Sequence, residues 1–363
     1  MFVVRPARLS DLDGLMELAK ITGTGLTTLP AHKPALQQKI EESITAFATS
    51  DEATEKLNYL FVLEDLSDGQ ICGTSALIVG IGLDNPFYSY RILHQTQLSQ
   101  EPKMRVDTEL LQLSNDFVGA AEVATLFLDP KYRRDKLGKL LSKARYMLMA
   151  AHPERFPDAI ISELRGWVDE DHRSPFWEAI GRHFFGMDFL TADAINGRGN
   201  SQFISDLMPK FPIYTALLPE EARAVIGRPH DGAVPAMRLL EKEGFRFSGA
   251  VDIFDGGPEM EVHKRGIWTC RKSEEGVLGG VVEGEGSDPM HLVANPALDS
   301  FRVVLTNVVE GASGLWLPKE AADALEIKEG DTVRFSPIDR PVGDVDPDQP
   351  VTTMATEKGE ITQ

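Results

Sequence analysis

Residues 131–139 read Lys-Tyr-Arg-Arg-Asp-Lys-Leu-Gly-Lys, so five of nine side chains in one short stretch carry positive charge. They follow an apolar run, 123–128, that is closed by Asp129-Pro130, and they precede Leu137, Leu140, Leu141, Ala144, Met147 and Leu148 at helical spacing. The run suits a buried strand, because proline cannot continue a ladder, and the spacing suits an amphipathic helix. Cations and a glycine therefore crowd the first turn of a helix, where anions bind: unpaired N–H groups point outward and the helix dipole adds roughly +0.5 charge. Taken alone, the stretch serves equally well as an ordinary strand, solvated basic turn and helix. A second residue with chemistry to offer is His230, in the run IGRPHDG. Its ordinary pKa of ~6.5 suits proton transfer near neutrality, and its place between Pro229 and Asp231 equally suits an exposed loop. Asp252 and Asp255, in VDIFDGGP, offer carboxylates to a cation, although Gly256-Gly257-Pro258 makes turn formation the simpler role for Asp255.

The elements that must position these groups are bounded by composition. The chain has 363 residues, 42% of them hydrophobic, which is enough for one large domain with an appendage. No apolar run reaches the ~20 residues of a membrane helix, and the N-terminus has no apolar signal region; the expectation is a cytoplasmic protein. Two cysteines, Cys72 and Cys270, supply neither a disulfide framework nor a CxxC metal site. A net charge of -19 disfavours nucleic acid as a partner.

In chain order, 2–5 reads as a strand, followed by a helix with Leu12, Leu15, Met16 and Ala19 inward. The loop 23–30, GTGLTTLP, then leads to a second helix with Leu36, Ile40, Ile44 and Phe47 on one face. That loop is placed either to line an acceptor pocket or simply to connect two helices. Residues 59–64 and 70–83 pair through Ser67-Asp68-Gly69 as a hairpin, and 88–98 and 110–114 extend the sheet. Asn115, Asp116, Gly119 and Glu122 bring polar groups to the entrance of the strand at 123–128. Residues 159–164 form its next neighbour, and 166–232 reads as a helical insertion in which His183 is a surface or core residue.

The strand, the run Arg133-Arg134-Asp135-Lys136-Leu137-Gly138 and the following helix resemble motif A of the GNAT acyltransferase superfamily, whose R-x-x-G-x-G/A loop holds the pyrophosphate of coenzyme A. Lys136 stands where the first glycine is usual. Residues 234–245, VPAMRLLEKEGF, resemble the late helix of the same superfamily, with Leu240 where many members carry a proton-donating tyrosine. Further runs, among them RPARLSDL, LTTLP, LSND, TLFLDP, LLSKARYMLMAAHPERF, ELRG, SPFW, FFGMDF, DLMPKFPIY and VDIFDGGP, extend the resemblance to the bacterial arginine N-succinyltransferase family, as far as about Ser273.

The resemblance implies an α+β fold with a GNAT-like mixed, mostly antiparallel sheet flanked by helices. It implies succinyl transfer from succinyl-CoA, a co-substrate rather than a bound cofactor, to the α-amino group of L-arginine, as the first step of arginine degradation. It also implies His230 as the proton donor and Leu126 as a succinyl-CoA contact. Leu128, Arg133, Arg134, Gly138 and Lys139 complete the expected donor site, and no metal is expected. Where the family has G-Q-V-H-P, this chain has Gly227-Arg228-Pro229-His230-Asp231. The expected organisation is an acyltransferase domain over 1–272, a linker or loop over 273–289, a small β-rich subdomain over 290–338 and a disordered tail over 339–363. The expected assembly is a homo-oligomer or a pairing with a paralogous subunit, and a supporting, weakly active subunit is the alternative function.

Overall fold

The computed structural model describes residues 1–22, 26–49, 56–134, 136–196, 206–284 and 290–340. Strand β1 (Phe2–Pro6) leads into helices α1 (Leu12–Thr22) and α2 (Lys33–Ala48). Strands β2 (Leu57–Asp65), β3 (Gln70–Val79), β4 (Ser89–Ser99), β5 (Met104–Ser114) and β6 (Ala121–Leu128) precede helix α3 (Leu137–Ala151) and strand β7 (Ala159–Glu163). Short helices and β8 (Ile213–Tyr214) fill the insertion. The helix Val234–Glu243 then feeds β9 (Arg246–Asp252) and β10 (Pro258–His263). Strands β11 (Glu274–Val282), β12 (Met290–Asn295), β13 (Arg302–Asn307), β14 (Val309–Gly311), β15 (Gly314–Pro318) and β16 (Thr332–Pro337) end the described chain.

These strands form one sheet in the order β14-β15-β11-β16-β12-β13-β1-β2-β3-β6-β7-β10-β9-β4-β5-β8. Among the described residues only β6 with β7 and β11 with β15 pair in parallel, so the expected mixed, mostly antiparallel architecture is present. The C-terminal strands are β-rich as expected, but they are not a separate sheet: β13 pairs with β1 through Val3 opposite Val304 and Val4 opposite Val303. The glycine- and glutamate-rich run read as a linker or loop is corrected in its first part, where 274–282 is strand β11. Val277 and Leu278 give it apolar side chains, and its glycines admit large neighbours, since a Cβ at Gly280 would lie 2.5 Å from the Trp316 ring. Residues 285–289 and the tail beyond Arg340 lie outside the described residues.

Helix α3 is the keel. Leu137, Leu140, Leu141, Ala144, Tyr146, Met147, Leu148 and Met149 are all buried in the main core beside Phe61, Leu77, Val123 and Phe301. Each such aliphatic side chain contributes ~1.5–3 kcal/mol by leaving water. The packing presses the helix close against β3, where a Cβ on Gly73 would lie 2.8 Å from Leu141 Cδ2. The buried cations of α3 are held: Lys143 pairs with Glu243 at 2.7 Å, and Arg145 bonds Ser142 and the Ala124 carbonyl. Among the described residues no helix is long and apolar enough to cross a membrane.

Candidate active site

Strands β6 and β7 pair only through Ala121 with Ile160 and Glu122 with Ile161, and then diverge. On its other side β6 carries a bulge against β3, between the pairs Thr74 with Phe127 and Ala76 with Ala124. Thr125 sits in that bulge at φ 55°, a left-handed conformation that costs a β-branched residue of order 1–3 kcal/mol and that clusters at functional sites. The bulge and the divergence have one result: the edge of β6 beyond Glu122 has no strand partner on the β7 side and borders a cavity of about 420 Å³.

The cavity is built from stretches far apart in sequence. The whole of 122–128 lines it, with Ser162 to Arg165 from the end of β7, Arg145 from α3, His230 with Gly232 and Ala233, and Leu240 from the helix Val234–Glu243. Leu26, Thr27 and Thr28 from the loop between α1 and α2 line it too, which favours the acceptor-pocket alternative for that loop; Gly23, Thr24 and Gly25 lie outside the described residues. Of the residues expected to act, Leu126, Leu128, Arg133 and His230 meet here.

Arg134, Gly138 and Lys139 do not line the cavity. They lie at its approach, on the first turn of α3 and the loop before it. A Cβ on Gly138 would meet only Leu128 Cδ2, at 3.9 Å, so the protein's own packing does not require glycine there and the space in front stays open. Lys136 caps the helix at φ 61°, the left-handed conformation that glycine adopts at no steric cost and that strains a lysine. Asp339, from the segment after β16, ion-pairs with Lys139 and lies 3.4 Å from Lys136. The bond from Lys139 holds its carboxyl below the usual range. A carboxylate thus already sits on the first turn of α3, which is what that turn's electrostatics favour.

The inner wall has the opposite sign. Burial pushes the Glu122 carboxyl up to about 7, against the pull of Lys39 and Arg145. Burial also raises Glu163 well above the ordinary carboxyl range, with Asp252, Glu122, Glu259 and Asp255 adding repulsion. The turn role holds for both aspartates: Asp252 Oδ1 accepts from the N–H groups of Phe254 and Asp255, and Asp255 accepts from Gly166 at 2.7 Å and Gly257 at 2.9 Å. Glu122 and Glu163 stand outside that turn, and Glu122 accepts from the Glu163 backbone N–H. Of the four polar residues placed at the entrance of β6, only Glu122 reaches the cavity; Asp116 pairs with Arg91, and Gly119 serves a turn at φ 84°.

His230 is held from both sides. Its N–H donates to the Arg165 carbonyl at 2.8 Å, and Pro229 before it bridges Gly166. The Gly232 N–H donates to Nδ1 at 3.0 Å, so the neutral ring carries its proton on Nε2. Burial lowers its pKa, as does the Arg165 charge, against Asp231 and Asp255. Leu240 lines the cavity where a tyrosine was the alternative donor, and among the described lining residues there is neither a tyrosine nor a second histidine.

Residues 2–269 match the family model described as arginine N-succinyltransferase beta subunit, and 277–337 match the C-terminal domain of that subunit. The chain belongs to the arginine N-succinyltransferase family. It is 44% identical over 338 residues to an arginine N-succinyltransferase of Escherichia coli strain 55989, covering 92% of this chain and 97% of the relative. The solved structure of arginine/ornithine succinyltransferase subunit AI from Pseudomonas aeruginosa superposes with a TM-score of 0.85 at 32% identity, over 94% of this chain and 99% of that one. The chain is an acyltransferase with the GNAT-like fold that its motifs implied.

Three lining residues went unread in the sequence. Arg145 looked like one more polar position on an amphipathic helix, although it is almost wholly buried. Glu163 and Arg165, in ELRG at the end of β7, looked like the ordinary close of a strand. The available signal was that they continue an apolar strand opposite the anion-binding stretch.

Proposed function

We propose that this chain transfers the succinyl group of succinyl-CoA to the α-amino nitrogen of L-arginine by direct attack in a ternary complex, opening arginine breakdown in the cytoplasm. One observation carries the reading: a single cavity beside the cationic first turn of α3 holds His230 as its only imidazole among the described residues, together with the carboxyls of Glu122 and Glu163. Arg133, Arg134 and the open backbone at Gly138 receive the pyrophosphate, with Lys139 joining them when it gives up Asp339, and pantetheine runs along β6 past Leu128 and Leu126. The names of the relatives, a beta subunit and a subunit AI, support work in a multi-chain assembly.

The acceptor arrives as a cation. Glu122 and Glu163 offer carboxyl oxygens to its N–H groups, and a carboxyl pushed up to about 7 is matched to take a proton from its ammonium group. The freed amine attacks the thioester carbon, and the oxyanion is stabilised by N–H groups on the unpaired edge of β6. As the C–S bond breaks, one proton must pass from nitrogen to sulfur. His230 gives its Nε2 proton to the thiolate while Nδ1 takes one up, so the Gly232 contact is exchanged during turnover. The products are the amide and the free thiol.

The test is thiol release from succinyl-CoA by the purified chain, with and without L-arginine, and an NMR assignment of the product. Release that requires L-arginine and yields the N2-succinyl product is expected. Release indifferent to L-arginine, or none, contradicts the reading.

A further inference from the structure

Both substrates of the proposed reaction carry a carboxylate, the distal one of the succinyl group and the α-carboxylate of arginine, and the wall formed by Glu122 and Glu163 offers neither of them a cation. We propose that Arg165 is the anchor for a substrate carboxylate, gripping it with the Nε and Nη2 edge of its guanidinium. This deepens the acyl-transfer reading and rests on it.

Arg165 lines the cavity two residues beyond the end of β7. Its Nε and Nη2 are buried and make no hydrogen bond among the described residues. Those two nitrogens form one side of the guanidinium plane, with parallel N–H groups at the spacing of carboxylate oxygens, which is the geometry of bidentate recognition. A buried charged donor left unmade is costly, and structures keep such groups where a ligand completes them. The neighbouring carboxylate does not complete it, because both oxygens of Asp255 are engaged by the backbone of Gly166 and Gly257.

The backbone beneath Arg165 is held rigid. Its carbonyl accepts from the His230 N–H, Gly166 bridges Pro229, and a Cβ on Gly166 would lie 2.5 Å from the Asp255 carbonyl, so the strand end cannot shift to relieve the guanidinium. Arg165 is thereby tied to the loop that carries the imidazole, close enough for its charge to act on the ring. A second orphan borders the same cavity: Thr28 Oγ1 is buried and has no hydrogen-bond partner among the described residues. Of the buried unpaired side-chain groups, only those of Arg165 and Thr28 line this cavity. A carboxylate held by Arg165 has a further lone pair for a hydroxyl donor.

Equilibrium binding to the whole chain, without turnover, tests this and separates the two sources. Succinyl-CoA is compared with butyryl-CoA, which ends in a methyl group, and L-arginine with agmatine, which lacks the carboxylate. In the wild type at least one carboxylate-bearing member should bind about 10- to 100-fold more tightly than the counterpart that lacks the carboxylate. Arg165→Gln should abolish one of the two preferences. Loss of the preference for succinyl-CoA assigns Arg165 to the acyl chain, and loss of the preference for L-arginine assigns it to the acceptor. Arg165→Lys keeps the charge without the fork, should fold as the wild type does and should recover only part of the lost preference.

Retention of both preferences by a folded Arg165→Gln overturns the proposal, as does a wild type that shows neither. Weakened binding of all four ligands in both variants would mark a structural role and overturn it as well. A wild type that binds neither succinyl-CoA nor L-arginine would instead remove the acyl-transfer reading itself.

Discussion

The approach to the cavity and its inner wall are two charged regions built in opposite ways. At the approach, Arg133, Arg134, Lys136 and Lys139 come from seven consecutive residues, on a loop and the first turn of α3, and the two arginines are exposed. On the wall, Glu122, Glu163 and the pair Asp252 and Asp255 come from three segments of chain, and Glu122 is buried enough to titrate near 7. In the proposed reaction the difference follows from the ligands. A pyrophosphate is held from one side by a helix end and can stay partly in water, whereas an ammonium that must lose its proton needs a dry place with a base of matched pKa. Screening by water keeps the first region weak residue by residue, and burial makes the second strong.

The largest expected effect lies between the two regions. His230→Ala should lower kcat by roughly 10²- to 10⁴-fold with little change in either KM. A folded variant that retains most of its activity would show that the ring only braces its loop through the Gly232 N–H.

Next comes the approach. Arg133→Ala combined with Arg134→Ala removes two cations whose bonds to phosphate are worth ~1.5–3 kcal/mol each when well formed. Because both are exposed, a rise of about tenfold in the KM for succinyl-CoA is expected, with the KM for L-arginine unchanged; initial-rate kinetics at varied salt would check it, since the effect should shrink as salt rises. An unchanged donor KM would leave the anion site to the backbone and Lys139.

The inner wall also has a signature in stability. Glu122 ionises near 7 in the folded chain, against an ordinary value of ~4.3 in the unfolded one, so the folded state holds the extra proton between those limits. Its contribution is fully present below ~4.3 and is lost as pH rises through about 7. Thermal unfolding should therefore give a higher Tm near pH 5.5 than near pH 8. Glu122→Gln should flatten that slope, and L-arginine should raise Tm most at the higher pH.

The smallest effect concerns the lysine in the left-handed cap. Lys136→Gly relieves ~1 kcal/mol of backbone strain but gives back part of it as chain entropy. Tm should rise by no more than about 2 °C, and release of Asp339 from Lys136 should be visible as a changed donor KM at low salt.

How much of this was legible in the sequence follows the same division. The cation cluster, the strand before it and the helix after it are contiguous, so spacing alone exposed them; His230 and Leu126 came from family resemblance, and both line the cavity. The wall was not legible, because Glu163 and Arg165 acquire meaning only when β7 parts from β6, and no residue type announces either that divergence or the bulge at Thr125 on the other edge of β6. Strand β11 was missed for a related reason: its glycines read as a loop until the Trp316 ring occupies the space they leave.

The most direct test of the division is a matrix of initial rates over both substrates for Glu122→Gln and Glu163→Gln beside the wild type. A rise of at least about tenfold in the KM for L-arginine, with the KM for succinyl-CoA within about twofold of wild type, is the predicted result. A rise confined to succinyl-CoA, or an unchanged pair of constants in both folded variants, would contradict a buried acidic wall that receives the amine.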